Sequence, residues 1–245
     1  MGEIVNGVDM DVLQEENLRL LDTFIGICKK HNIWYSLAYG TMLGAVRHNG
    51  MIPWDRDVDV YIKITDVPRI REIFAKELPA NCRHLQRGVT KKYSSSHELL
   101  ESTAVKGAHL DMYPLVGAPS EPEEQARFTK QTYYARKILK SKHVDIRQCL
   151  PKNKLMVLAA KGIDLFISDR TVERIYQKYE KMYDYDTAEY VVALSNYGKA
   201  SNCVKKEIME DTMEHAFEHL RCAIPRDYDT YLTQIYGDYM TPKKY

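Results

Sequence analysis

Paired cysteines, long apolar runs and an excess of either charge are all missing from this chain of 245 residues. Its five cysteines, Cys28, Cys82, Cys149, Cys203 and Cys222, are odd in number, far apart and without a CxxC pair. That spacing excludes a zinc knuckle and a disulfide framework, and it fits reduced thiols in a cytosolic protein. No apolar stretch approaches the roughly 20 residues that span a bilayer. Residues 1–26 carry Glu3, Asp9, Asp11, Glu15, Glu16 and Asp22 in place of a basic, then apolar, leader. The expectation is therefore a soluble, cytoplasmic protein. With 35 Lys and Arg against 34 Asp and Glu, the net charge is +1, so no nucleic-acid partner is expected.

What is present is an ordinary globular balance, 44% hydrophobic and 28% charged, which argues against long disorder. Leu18, Leu21, Ile25 and Cys28 recur at helical spacing and predict a helix over Met10–His31. Ile33–Tyr39 is aromatic and β-branched enough for a strand, which Gly40 ends. Thr41–His48 then predicts a short helix with Thr41 as its N-cap. The alternation of Asp57–Ile62 predicts a second strand, and Asp66–Leu78 a helix. Cys82–Arg87, Leu99–Val105 and Ala108–Leu115 are further strand segments. Helices are expected over Glu121–Lys140, Asn153–Ile167, Val172–Tyr183, Lys206–Leu220 and Tyr228–Tyr236. Strands gather before residue 116 and helices after it, which predicts an α+β fold. A mixed-sheet core over residues 1–118 would carry a helical lobe over 119–245, packed as one compact unit.

The stretch Pro53-Trp54-Asp55-Arg56-Asp57-Val58-Asp59-Val60-Tyr61-Ile62 carries the most chemistry. Strand alternation places Asp57, Asp59 and Tyr61 on one face and Val58, Val60 and Ile62 on the other. Carboxylates at i and i+2 sit roughly 7 Å apart at the backbone and can converge on a hard cation. Mg²⁺ suits such a site, because it takes few carboxylates, keeps waters and accepts substrate phosphate oxygens. Mn²⁺ is the alternative ion. The plain alternative is a solvent-facing strand with incidental acids.

The segment before it favours the site. A strand, Gly40-Thr41 and a short helix form a layout suited to phosphate, with free N–H donors and the positive dipole end at the helix start. Arg47 and His48 close that helix, as donor-binding cations or as ordinary C-terminal ones. In His109-Leu110-Asp111-Met112-Tyr113, alternation sets Asp111 on the face opposite Leu110 and Met112. Asp111 is the candidate third carboxylate, as a metal ligand or as the base for an attacking hydroxyl.

These residues resemble the signature of the LicD family: Tyr39-Gly40-Thr41-Met42-Leu43-Gly44-Ala45-Val46-Arg47-His48, then Gly50, Ile52-Pro53-Trp54-Asp55 and Asp57-Val58-Asp59. The resemblance continues at Leu110-Asp111-Met112-Tyr113-Pro114-Leu115 and Phe217-Glu218. It closes over Ile224-Pro225, Tyr228–Leu232 and Tyr236–Met240. That family includes bacterial phosphocholine transferases and is related to fukutin-related protein. The resemblance implies a nucleotidyltransferase-type fold and a metal-binding Asp pair. It also implies transfer of phosphocholine from CDP-choline to a hydroxyl of a cell-surface glycan, of teichoic acid or lipooligosaccharide type, with CMP leaving. Carried over by position, Asp57 and Asp59 would bind Mg²⁺, and Asp111 would be the third ligand or the base. Gly40 and Thr41 would hold donor phosphates, assisted by Arg47 with His48 beside it. Other CDP-alcohols, such as CDP-ribitol, are alternative donors, and transfer of the nucleotidyl group is an alternative reaction. A silent nucleotide- or glycan-binding protein is the reading from another class. Arg56 departs from relatives that carry an acid there, but alternation turns it away from Asp57 and Asp59.

Two further signals are weaker. His215 and His219 fall at i, i+4 on the expected Lys206–Leu220 helix, with Ala216 where HExxH needs its glutamate, so a solvated helix face is the reading. Ten Lys and Arg between Arg127 and Lys161 face one acid, Asp145. They predict a solvated helix face, with peripheral contact to anionic membrane near a lipid-linked acceptor as the alternative.

Overall fold

The computed structural model describes residues 4–5, 8–88, 95–142, 168–194 and 198–241, with the single positions 155, 158 and 162. Two short strands, β1 (Ile4–Val5) and β2 (Val8–Asp9), pair antiparallel ahead of helix α1 (Met10–His31). The Asp9 carboxylate accepts from the Asp11 N–H at the start of α1, and Lys29, Lys30 and His31 meet the negative dipole end in its last turn. Leu20, Leu21 and Phe24, on the helix's apolar face, are wholly buried.

Strand β3 (Tyr35–Leu37) leads into α2 (Tyr39–His48), then β4 (Val58–Lys63), α3 (Val67–Glu77), β5 (Cys82–Gly88), β6 (Ser95–Ser102) and β7 (His109–Ala118). These are followed by α4 (Pro122–Lys142), α5 (Asp169–Glu180), β8 (Tyr190–Ala193), β9 (Val204–Lys205) and α6 (Lys206–Glu210). Strands β10 (Thr212–Phe217) and β11 (Leu220–Pro225) and helix α7 (Tyr228–Tyr236) end the described order. The fold is α+β. Seven strands form one mixed sheet in the order β3-β4-β7-β6-β5, with β8 on β7 and β9 on β8. Only β4 and β7 run parallel among these pairs.

Sequence alternation decides which side of that parallel pair is dry. Val58, Val60 and Ile62 on β4 and Leu110 and Met112 on β7 have no solvent exposure. The apolar side chains share one face of the pair, so burying that face fixes the register of the other one. In that register Asp59 stands opposite Asp111, and Tyr61 opposite Tyr113.

Several expectations need correction. Residues 206–220 are not one helix: α6 stops at Glu210 and the β10–β11 hairpin follows. His215 therefore lies on a strand and His219 in the hairpin turn, so the helical i, i+4 pair does not exist. Thr41 is not the N-cap of α2. The helix starts at Tyr39 and its cap is Ala38, which offers no side-chain bond. Strands β8 and β9 were not anticipated, because Tyr190–Ala193 is short and lacks polar alternation. Of the expected Asn153–Ile167 helix only the single positions 155, 158 and 162 are described, and Cys149 and the basic run's side chains beyond Arg136 lie outside the described residues. The four described cysteines are free thiols. Among the described residues no helix is long and apolar enough to cross a membrane.

Helix α2 ends on Asn49 in the left-handed region (φ 56°), and the Gly50 N–H then bonds to the Gly44 carbonyl. The chain doubles back so closely that a Cβ at Gly44 would lie 2.5 Å from the Gly50 carbonyl oxygen. Backbone cannot yield as a side chain can. Gly44→Ala is expected to lower stability by about 1–3 kcal/mol, read as an earlier urea midpoint. An unchanged midpoint would show that the turn relaxes without cost.

Candidate active site

Four carboxylates gather where β4 and β7 begin. Asp55 and Asp57 lie in the approach to β4, Asp59 is on it, and Asp111 stands beside Asp59 on β7. One donor atom each from Asp57, His109 and Asp111 lies within 4.8 Å of the others. His109 Nε2 is 3.8 Å from Asp57 Oδ2, and His97 Nε2 is 3.6 Å from Asp111 Oδ1. The Asp59 Oδ1 atom is sealed from solvent and has no hydrogen-bond partner.

Electrostatics makes this arrangement costly. Burial, reinforced by the charges of Asp57, Asp111 and Asp55, pushes the Asp59 carboxyl well above the ordinary carboxylate range. Burial first, then the charge of Asp57 and a hydrogen bond to it, pushes Asp55 up to about 7. An orphaned buried oxygen among carboxylates with an imidazole alongside is the donor chemistry of a divalent cation. Carboxylate oxygens suit Mg²⁺, and the imidazole widens the fit toward Mn²⁺.

The fold holds the cluster from three sides. On α1, the wholly buried Asn17 donates from Nδ2 to the Arg56 carbonyl at 2.8 Å and accepts from the His109 N–H at 2.8 Å. One amide thus ties the approach to β4 to the first residue of β7. One turn earlier, Gln14 Nε2 donates to the carbonyls of Asp55 (2.9 Å) and Ile52 (3.2 Å). On α2, the Thr41 hydroxyl accepts from the Asp59 N–H at 2.9 Å. Behind the acids lies an aromatic floor. The Tyr39 ring is 5.2 Å from both the Tyr61 and Tyr113 rings, and the Tyr61 and Tyr231 hydroxyls are 2.8 Å apart. Tyr39 adopts φ 44° to reach this place, a strain of about 1–2 kcal/mol for a non-glycine residue that the edge-on ring contacts offset.

The third support is the β10–β11 turn. Glu218 sits at φ 51°, where glycine would be at ease. Its N–H donates to the Asn49 carbonyl (2.8 Å), and its carboxylate accepts from the Met51 N–H (2.9 Å). A Cβ on Gly50 would collide with that side chain. Glu218 thus clasps the loop that leads to Asp55.

The residues singled out from sequence are distributed unevenly. Asp57 and Asp111 meet, Asp59 adjoins them, and Thr41 touches Asp59 through the backbone. Gly40 lies against Asp55, since a Cβ there would be 2.9 Å from Asp55 Oδ2. Arg47 lies roughly 10 Å further along α2, and its Nη1 donates to the Tyr239 carbonyl at 3.0 Å. His48 leans on Arg47 (3.4 Å), and burial, then the Arg47 charge, holds its imidazole below the usual range. Asn17, Gln14, His97 and His109 were not anticipated. A signal existed for His109, because strand alternation sets it on the Asp111 face.

A mixed sheet that brings acids of neighbouring strands to one face, beside a short helix, defines a nucleotidyltransferase-type protein. Residues 32–159 match the family model described as LicD/FKTN/FKRP, nucleotidyltransferase domain. The chain belongs to that family. It is 26% identical over 242 residues to the lipopolysaccharide cholinephosphotransferase LicD of Haemophilus influenzae, covering 91% of this chain and 88% of that one. It is also 38% identical over 53 residues to the ribitol 5-phosphate transferase FKRP of human, covering 22% of this chain and 11% of that one. The mouse protein of the same name matches equally.

Two outcomes follow from the geometry. A carboxyl whose pKa is raised on folding binds its proton more tightly in the folded state. The Asp55 contribution to stability is therefore full below 3.8 and is lost as pH rises through about 7. Mg²⁺ or Mn²⁺ competes with those protons, so either ion should raise Tm more at pH 8 than at pH 5 in thermal melts. Equal gains at both values would refute cation binding by the cluster. Asn17→Ala leaves a part-buried carbonyl and a part-buried N–H without their partner, and should cost about 1–3 kcal/mol in urea unfolding. A loss below about 0.5 kcal/mol would show that Asn17 is not what ties β4 to β7.

Proposed function

We propose that the chain transfers phosphocholine from CDP-choline to a hydroxyl of a cell-surface glycan, of teichoic acid or lipooligosaccharide type, and releases CMP. The observation that carries this reading is the convergence of Asp57, His109 and Asp111 beside the orphaned oxygen of Asp59. The match to a lipopolysaccharide cholinephosphotransferase over 91% of the chain supports the transferred group.

In this reading Asp57, Asp59 and His109 would hold Mg²⁺, with Mn²⁺ the alternative, and Asp111 would serve as a further ligand or as the base. A bound divalent cation would neutralise charge on the diphosphate and on the departing CMP oxygen. Gly40 leaves room for the donor to approach, and Thr41 keeps Asp59 in place through its backbone. The acceptor oxygen forms a bond to the choline-bearing phosphorus as that phosphorus parts from the oxygen kept by CMP. A carboxylate of the cluster, Asp111 foremost, takes the hydroxyl proton. The identity to ribitol 5-phosphate transferases over 53 residues favours CDP-ribitol as the second donor to consider.

Purified protein with Mg²⁺ should release CMP from CDP-choline in an acceptor-dependent manner. Asp57→Asn and Asp59→Asn should each slow that release by about 10²-fold or more, with circular dichroism unchanged. Full activity in both variants would remove the metal mechanism. Release from CDP-ribitol alone would reassign the donor.

A further inference from the structure

Among the described residues eight large apolar side chains are exposed, and five of them, Tyr134, Leu155, Leu158, Ile175 and Met182, fall within residues 134–182. Single exposed apolar residues are ordinary, but a concentration of them in one part of a chain marks a contact surface. Leu155 and Leu158 are helical and three residues apart, so they share a face, and 79% and 53% of their surfaces are open.

Helix α5 shows the character of this surface most fully. Its inner side is aromatic. Tyr176 is wholly buried and its hydroxyl donates to the Leu194 carbonyl at 2.7 Å. Tyr179, and Tyr183 just beyond the helix, pack on Phe128 of α4 with ring centres 5.9 and 5.3 Å away. By helical periodicity Arg174, Ile175, Lys178 and Lys181 fall within an arc of about 120° on the side opposite Tyr176. All four are exposed, as is Met182 in the turn that follows. Among the described residues none of these three cations pairs with a carboxylate. The outer side of α4 adds Lys130 and Tyr134, exposed and four residues apart. The acids of α4, Glu123 and Glu124, are confined to its first turn, where Glu124 pairs with Arg127 at 3.0 Å.

We propose that the outer side of α5, with its neighbours on α4, rests on the surface of an anionic lipid bilayer. Charge and chemistry together select this occupant. Cations interleaved with apolar side chains match headgroups of net negative charge lying over an acyl layer. The core of a protein interface would instead be depleted in lysine. The phosphates of a nucleic acid would satisfy the cations but leave Ile175 and Met182 without an apolar partner. The contact is peripheral, with the apolar side chains entering the headgroup boundary. The inference goes beyond the transfer chemistry and does not depend on it.

Co-sedimentation of the purified chain with vesicles tests the surface, using phosphatidylcholine alone and phosphatidylcholine mixed with phosphatidylserine. The chain should bind only the mixed vesicles, and more weakly as salt rises. Lys178→Gln combined with Lys181→Gln should weaken that binding about 10- to 30-fold. Ile175→Gln combined with Met182→Gln should weaken it about 5-fold or more. All four side chains are exposed, so circular dichroism should not change. No binding, equal binding to both vesicles, or wild-type affinity in either double variant would overturn the proposal. A wild-type dimer that the Ile175→Gln, Met182→Gln variant dissociates, without vesicle binding, would overturn it in favour of a second copy of the chain.

Discussion

Asp59 and Asp111 face one another across a parallel strand pair whose opposite side is wholly apolar, and the rest of the site follows from that pairing. The register cannot slip by one residue without turning Val58, Val60 and Leu110 toward the acids' side. Hydrophobic burial on one face thus drives like charges together on the other. Two ionised carboxylates in a poorly solvated place repel far more strongly than in water. Burial first, and then that repulsion, raises the Asp55 and Asp59 carboxyls above the ordinary range, so protons relieve the repulsion in part. A divalent cation held between the carboxylates would relieve it more completely, through its own positive charge.

Such a cluster needs rigid support, because side chains free to move would separate to reduce their repulsion. Much of the support comes from neutral side chains, which add no charge. Asn17 and Gln14 hold backbone carbonyls on the approach to β4, and Thr41 accepts the Asp59 N–H. Two non-glycine residues at positive φ, Tyr39 and Glu218, serve the same end. Each is placed where its side chain can do something glycine cannot. Tyr39 joins two strand tyrosines, and Glu218 caps the Met51 N–H. Strain that persists at such positions shows that the surrounding contacts outweigh it.

The legible parts of the sequence were those where pattern and packing agree. Alternation over residues 57–62 gave both faces of β4 correctly, and Tyr228–Tyr236 is a helix with the expected ends. The hairpin over residues 212–225 was missed because its turn, Glu218-His219, has neither glycine nor asparagine. Its strand Thr212–Phe217 also contains helix-compatible Met, Glu and Ala. Tertiary pairing overrode that local preference. Asn17 was hidden for another reason. A lone polar residue within an apolar helix stripe looks incidental until the carbonyl and N–H it joins, 39 and 92 residues away, are known.

Gly40 was read as the residue that permits a tight turn and a close backbone approach at a phosphate cradle. Its backbone is ordinary helix, and the unusual φ belongs to Tyr39 beside it. What Gly40 supplies is absence of volume, because a methyl group there would press on the Asp55 carboxylate. Gly40 also lines a cavity between α2 and the chain beyond α7. A larger residue would crowd the Asp55 carboxylate, whose pKa burial and then the Asp57 charge already raise. Gly40 therefore keeps room beside the acidic cluster through a single steric cause, the lack of a side chain.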